Sequence, residues 1–233
     1  PELLTLSEQE LQLTLQQDFQ NFYSPDSTCA YTPIAAKGPW LITLHGAVLY
    51  ETGGYGMLGF GHSPDSILAA LAKPYVMANI KTPSIQQKRF TSMLRKKIGF
   101  RRNACPFGKF MCLNSGSESM TVAFRLASAH AKTMTDPEGP HAGKAIKALA
   151  LRGAFHGRTY RPSRISDSTR ATYHKFLASF RDHNEVVTVE PNNIEQLRSE
   201  FDRAQHAEIY FEAMFMEPVM GEGNPGVAIT PEF

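Results

Sequence analysis

In the second half of the chain, short apolar runs of strand length alternate with segments whose apolar residues recur every three or four positions. Ala145–Leu151, Glu185–Val189 and Ile209–Met216 are brief, apolar and rich in branched or aromatic residues, and are predicted as strands. Thr121-Val122-Ala123-Phe124-Arg125-Leu126-Ala127 and the segment from Asn193 to Ala204 carry helical spacing, the latter with Asn193 as its cap. Strand and helix in alternation predict an α/β fold: a mainly parallel sheet flanked by helices, with the most apolar strand, Ile209–Met216, at its centre. Lys109–Leu113 is predicted as a further short buried strand, leading through Asn114–Ser119 into the helix that contains Phe124. Asp136–Pro140 is predicted as a surface turn, and Arg158–Arg170 as an irregular basic loop.

The first half has a different texture. Ser7-Glu8-Gln9-Glu10 is a capping box ahead of Leu11, Leu15, Phe19 and Phe22, so a helix is predicted over 8–22, ending near Ser24-Pro25. Leu41–Leu44 and Val48–Glu51 flank His45-Gly46 as a hairpin would. Thr52 to Gly61 holds five glycines in ten residues, too many for a helix or a central strand, and should lie close against something. Ser63-Pro64-Asp65 supplies a cap, a proline at the first helical position and an acid in the first turn of a helix running to Ala72. Ser84–Ile98 is predicted as a helix with a basic outer face. These features divide the chain into an α+β segment over 1–78 and a larger domain over 79–233, with no internal repeat.

Composition narrows the classes. At 233 residues and 42% hydrophobic the chain can bury a substantial core, which excludes a disordered tail. Lys and Arg number 24 against 22 Asp and Glu, so net charge gives no general case for nucleic acid or an anionic membrane surface. No run of about 18 apolar residues exists, and the first residues lack a basic, then apolar leader; a soluble, cytoplasmic protein is expected. Three cysteines without a C-x-x-C pair support neither a disulfide framework nor a zinc site.

Parallel sheets bind ligands beyond the carboxyl ends of their strands. Three such corners are rich in chemistry: Asn114–Glu118, Gly153–Thr159 and Glu217–Gly223. At the first, the N–H groups of Gly116, Ser117 and Glu118 open a helix, where roughly half a positive charge resides. That geometry serves either a plain N-cap, made by Ser115 or Ser117, or a phosphate cup. At the second, Phe155 is either core filler or a plate for a planar ligand, with His156 beside it. At the third, Glu217 and Glu222 either face water or face a partner, because an unpaired buried carboxylate is costly.

Four motifs, in order, resemble those of the class III aminotransferases, pyridoxal-phosphate enzymes of fold type I that act on ω-amino groups. They are Leu49-Tyr50-Glu51 through Leu58-Gly59-Phe60-Gly61-His62-Ser63-Pro64; Asn114-Ser115-Gly116-Ser117-Glu118-Ser119; Phe155-His156-Gly157-Arg158-Thr159; and Glu217-Pro218-Val219-Met220-Gly221-Glu222-Gly223. The resemblance covers about residues 33 to 233. It implies pyridoxal 5'-phosphate as cofactor, with Ser115, Gly116 and Ser117 at its phosphate, Phe155 stacked on its ring, His156 beside the ring or substrate, and Glu217 near the ring's phenolic edge. Tyr55 in the glycine loop and Glu222 would face substrate, Glu222 pairing with an arginine outside this chain. The implied partners are an amino donor, a 2-oxo acid acceptor and a second subunit in a homodimer, with neither nucleic acid nor membrane.

The family's pyridine-binding aspartate and its Schiff-base lysine lie beyond the Glu217-Pro218 motif, and here no Asp follows Asp202 and no Lys follows Lys175. The chain is therefore expected to be the amino-terminal part of a longer enzyme, with no catalytic lysine of its own and no activity alone. Met220 where glutamine is common, and Arg161 and Arg164 in place of a small-residue tract, put substrate identity in question; the two arginines belong either to a solvated loop or to an anionic substrate group. Two other activities stay open: an aminomutase or decarboxylating relative, and a non-catalytic phosphate- or nucleotide-binding module, although G-x-G-x-x-G is missing after Leu113. Arg158, Arg161, Arg164, Arg170 and Lys175 form no compact basic and aromatic motif for nucleic acid.

Overall fold

A computed structural model describes residues 2–20, 29–52, 56–75, 81–101, 103–181 and 184–233. The chain forms two compact units, Pro1–Arg89 and Phe90–Phe233. Tyr55, Gly53, Gly54 and the end of the predicted first helix, with Phe22, lie outside the described residues.

In the first unit, α1 (Glu8–Gln16) opens with the predicted capping box: Glu10 N–H donates to Ser7 Oγ at 3.3 Å and Ser7 N–H to the Glu10 carboxylate at 2.9 Å. It stops at Gln16 rather than continuing, because only Leu11 of the apolar stripe is buried and Leu15 and Phe19 lie exposed; without packing, a helix this short has little to extend it. β1 (Pro33–Lys37), β2 (Trp40–Thr43) and β3 (Val48–Tyr50) form an antiparallel meander. The hairpin is as predicted, with Gly46 supplying the left-handed turn residue at φ +87°. β1 is additional: its Pro-Ile-Ala-Ala-Lys sequence has weak strand propensity and joins the sheet through its neighbour. α2 (Asp65–Leu71) is capped by Pro64, not by Ser63. Ser63 instead turns left-handed at φ +46°, with its carbonyl held by Lys37 Nζ at 3.1 Å, and the same ammonium pairs with Asp65. α3 (Ile85–Ile98) runs through the division between the units, and Ser84 Oγ accepts the N–H of Gln87 at 3.1 Å.

The second unit is the predicted α/β layer. α4 (Gly116–Thr135) is followed by β4 (Ala145–Leu151), α5 (Tyr160–Ile165), α6 (Asp167–Phe176), β5 (Val186–Val189), α7 (Ile194–His206) and β6 (Ile209–Phe215). The strands lie in the order β5-β4-β6 and all pair in parallel. β4 alternates between the two cores: Ala148 and Ala150 pack with Phe124, Ile165 and Phe215, whereas Leu149 and Leu151 pack with Val187, Val189 and Leu197. Helices thus cover both faces, α4 and α5 on one and α7 on the other, which is why β4 is apolar without a break from Ala148 to Leu151.

Three expectations are corrected. The central described strand is β4, and β6 lies at the edge of this sheet. Lys109–Leu113 forms no strand: no described strand pairs with it, and Met111 and Leu113 are exposed. An apolar run becomes a strand only when a neighbour accepts its backbone hydrogen bonds. The supposed loop over Arg158–Arg170 is helical, as α5 and α6, with a buried α5 whose Pro162, Ser163, Arg164 and Ile165 are all covered. Its arginines found internal acids, so the polar composition that suggested a loop is satisfied inside the fold.

Candidate functional site

The amino terminus of α4 meets the segment that leaves the carboxyl end of β4, and that segment is tied in turn to the one that leaves β6. Ser115 is the N-cap: its Oγ accepts the N–H of Glu118 at 3.2 Å, and the Glu118 carboxylate turns back to accept the N–H groups of Asn114 and Ser115 at 2.9 and 3.1 Å. The N–H groups of Gly116 and Ser117 are left without a protein acceptor among the described residues, at the positive end of a helix of 20 residues. A Cβ on Gly116 would meet nothing within 4 Å, so the glycine side of this turn is open.

The segment after β4 presses on Ser117. Gly157, at φ +113°, approaches so closely that a Cβ there would stand 2.5 Å from Ser117 Oγ and 2.9 Å from Ser117 Cα. Only glycine fits. Arg158 N–H donates to Ser117 Oγ at 3.1 Å, and the hydroxyls of Thr159 and Thr121 both donate to the Ser117 carbonyl, at 3.1 and 2.8 Å. Ser117 is therefore fixed in position from two sides before any ligand arrives.

The segment after β6 closes the third side. Glu217 uses both carboxylate oxygens on backbone: Oε2 accepts the N–H of Phe155 and Oε1 that of Gly221, each at 2.9 Å. It ties the two segments together. Glu222, expected to pair with an arginine outside this chain, here has Oε1 2.9 Å from Arg158 Nη2, and that guanidinium stands over the Phe155 ring at 5.1 Å. His156 is buried, and burial pushes its imidazole below the usual 6.5, against the nearby Glu217 charge and a hydrogen bond to the Phe215 backbone. A neutral ring results, with Nε2 buried and unpartnered. Such an atom is costly to leave dry and marks a place where a polar ligand would complete the structure.

Arg161, Arg164 and Arg170 turn inward. Arg161 reaches Glu212 Oε1 at 2.5 Å and covers the Phe124 ring at 4.5 Å. Glu212 is buried, which pushes its carboxyl up while Arg161 pulls it down. Arg164 binds Glu185 at 2.8 Å, the Ser179 carbonyl at 3.1 Å and the Tyr160 hydroxyl. Arg170 binds Asp167 and Thr188 Oγ1, each at 2.7 Å. Neither Arg161 nor Arg164 belongs to a solvated loop. Both are structural cations that hold α5 to the sheet and to the turn before β5.

A cavity of about 460 Å³ borders the corner, between Leu113, Glu118 and Thr121 on one side and Thr159 to Arg161 on the other. A larger one, about 530 Å³, lies in the first unit, beside Gly61 and the His62–Glu51 pair, whose Nε2 and Oε2 are 2.6 Å apart. Among the described residues no group of His, Cys, Asp and Glu is arranged to hold a metal, and no helix is long and apolar enough to cross a membrane.

The aminotransferase class-III family model matches residues 23–232. The chain belongs to the class-III aminotransferases. Its fold is also that of solved aminotransferases. Ornithine aminotransferase from Toxoplasma gondii is similar at a TM-score of 0.71 and 18% identity, over 97% of this chain and 49% of that one. A transaminase from the marine bacterium Virgibacillus gives 0.65 and 19%, over 95% and 50%. Taurine:2-oxoglutarate aminotransferase from Bifidobacterium kashiwanohense, solved with PLP and glutamate, gives 0.66 and 15%, over 97% and 51%. The chain spans about half the length of these structures.

Of the residues singled out from sequence for this class-III aminotransferase, Ser115, Gly116, Ser117, Phe155, His156, Glu217 and Glu222 come together at one corner of the second unit. Tyr55 lies outside the described residues. Sequence reasoning gave Arg158 no individual role and passed over Ser166 and Asp167, which hold the turn after β4: Ser166 Oγ accepts the His156 N–H at 2.9 Å and the Asp167 carboxylate that of Gly153 at 2.8 Å. The signal was present as a Ser-Asp pair opening a helix.

Proposed function

We propose that this corner holds pyridoxal 5'-phosphate and that the complete protein transfers an amino group from an ω-amino donor to a 2-oxo acid. The supporting observation is the open pair of N–H groups at Gly116 and Ser117, backed by the fixed Ser117 hydroxyl and facing the segment that carries Phe155 and His156. A phosphate suits two unpaired amides at a helix amino terminus better than any neutral group does. The residues present fit the cofactor: donors for its phosphate, a half-buried aromatic for its ring, and an unpartnered buried imidazole nitrogen for a polar substituent.

When bound, the cofactor supplies an electron sink for breaking bonds at the donor's amino carbon. The chain's own residues prepare the place. Gly116 and Ser117 bind and orient the phosphate; Phe155, capped by the Arg158 guanidinium, gives the ring a flat wall. Glu217 keeps that wall in register by holding the Phe155 amide. His156, neutral, offers Nε2 to a proton at a neighbouring oxygen or nitrogen rather than a second positive charge. Arg158 and Glu222 pair with each other beside Phe155. Among the described residues no lysine bonds to the corner, so in this reading covalent anchoring and proton transfer at the donor carbon would fall to residues outside these 233, and activity would require them.

The test is borohydride reduction of the full-length protein with pyridoxal phosphate, followed by peptide mass analysis and an amino-transfer assay with 2-oxo acids. A reduced adduct on a lysine outside this chain, with turnover of ω-amino donors, is the expected result. An adduct on one of the lysines within it, or tight binding with no amino transfer to any 2-oxo acid, would overturn the proposal.

A further inference from the structure

The geometry points to Ser166 as a positioning residue for the phosphate cup, acting through the turn after β4; the inference rests on the cofactor reading above. Ser166 is fully buried between α5 and α6. Its Oγ accepts the His156 N–H and lies within donating distance of the Gly157 and Pro162 carbonyls, all three at 2.9 Å. One hydroxyl therefore gathers both peptide groups of the His156-Gly157 turn and ties them to the end of α5.

The next two residues extend the brace. The Asp167 carboxylate accepts the Gly153 N–H at 2.8 Å, and the Ser168 N–H and hydroxyl both donate to the Ala154 carbonyl at 3.2 Å. Residues 166 to 168 thus hold the turn at Gly153, Ala154, His156 and Gly157, leaving Phe155 to Glu217. Gly157 is the point that touches Ser117, with no room for a Cβ, and Arg158 N–H follows on Ser117 Oγ. A displacement of the turn is passed directly to the serine whose N–H and hydroxyl face the phosphate. Close-packed contacts transmit such shifts rather than absorb them.

Ser166 touches neither cofactor nor substrate, so its removal should act on phosphate recognition specifically. The assay measures dissociation constants of pyridoxine 5'-phosphate and pyridoxine, neither of which bonds covalently, on the cofactor-free full-length protein; the ratio of the two reports the cup alone. Ser166→Ala should lower the preference for the phosphorylated compound about tenfold, the scale of a buried hydrogen-bond hub lost beside a positioned group. Ser166→Thr, which keeps the hydroxyl, should restore most of it. Ser163→Ala removes another buried hydroxyl, on α5, that donates to the Tyr160 carbonyl at 2.8 Å, and should lower thermal stability while leaving the ratio unchanged. If Ser166→Ala does not fold, Asp167→Asn loosens the other end of the brace and should lower the ratio in the same direction. A wild-type protein that does not prefer the phosphorylated compound overturns the cofactor reading and this inference together. A wild-type protein that prefers it, with Ser166→Ala or Asp167→Asn retaining the full ratio, overturns the brace alone.

Discussion

Gly157→Ala probes the contact on which the cup depends. The added Cβ would stand 2.5 Å from Ser117 Oγ, 2.9 Å from Cα and 3.0 Å from Cβ. Ordinary van der Waals contact begins about 0.9 Å further out than the first of these. A serine hydroxyl can rotate away, but the backbone at Cα cannot, and the Ser117 carbonyl is pinned by two threonine hydroxyls. Overpacking of this kind costs about 1–3 kcal/mol, and an alanine at φ +113° adds about 1–2 kcal/mol of backbone strain. A loss of about 2–5 kcal/mol is expected in urea denaturation, together with weaker binding of pyridoxal phosphate, because Ser117 must move to make room. Gly143→Ala separates the two costs: Gly143 has φ +77° and nothing within 4 Å of its Cβ, so only strain of about 1–2 kcal/mol applies. Equal losses in the two variants, with cofactor affinity unchanged in Gly157→Ala, would refute the close packing of the turn on Ser117.

Other outcomes follow from the same geometry. Glu217→Gln leaves one of the two amide donors at Phe155 and Gly221 facing an –NH2 group, which should cost about 1–2 kcal/mol in urea titrations and speed hydrogen exchange at both amides; slow exchange at both would show that the carboxylate is not the tie. His156 is held below 6.5 when folded, so the unfolded chain takes up the proton first. Its contribution to stability is complete above that value and is lost as pH falls toward the folded pKa; the difference in stability between about pH 7.5 and about pH 5.5 should be smaller in His156→Gln than in wild type, and equal slopes would contradict a buried neutral ring. Leu149→Ala, at a fully buried position of the central strand, should cost about 2–5 kcal/mol, whereas the exposed Leu126→Ala should change stability by less than about 0.5 kcal/mol; similar values for both would put β4 outside the core.

Much of this site was legible in the sequence because it is built from local signals. An N-cap serine at 115 or 117, small residues at the start of a helix, and apolar runs before each corner need no knowledge of distant contacts. The strands β4, β5 and β6 declared themselves by composition for the same reason. Elements decided by partners were less visible. Lys109–Leu113 has the composition of a strand but no neighbour to pair with among the described residues. The Arg158–Arg170 stretch looked solvated because its acids, Glu185 and Glu212, are far away in sequence and arrive with β5 and β6. Glu217 likewise gave away its position but not its work, since Phe155 N–H is 62 residues distant. The tie between the two segments exists only once the parallel sheet has brought their strand ends side by side.

The most direct test is a crystal structure of the full-length protein grown with pyridoxal phosphate. Its phosphate should lie against the N–H groups of Gly116 and Ser117 with the ring over Phe155; a phosphate bound elsewhere, with those two amides in water, would contradict the assignment of this corner.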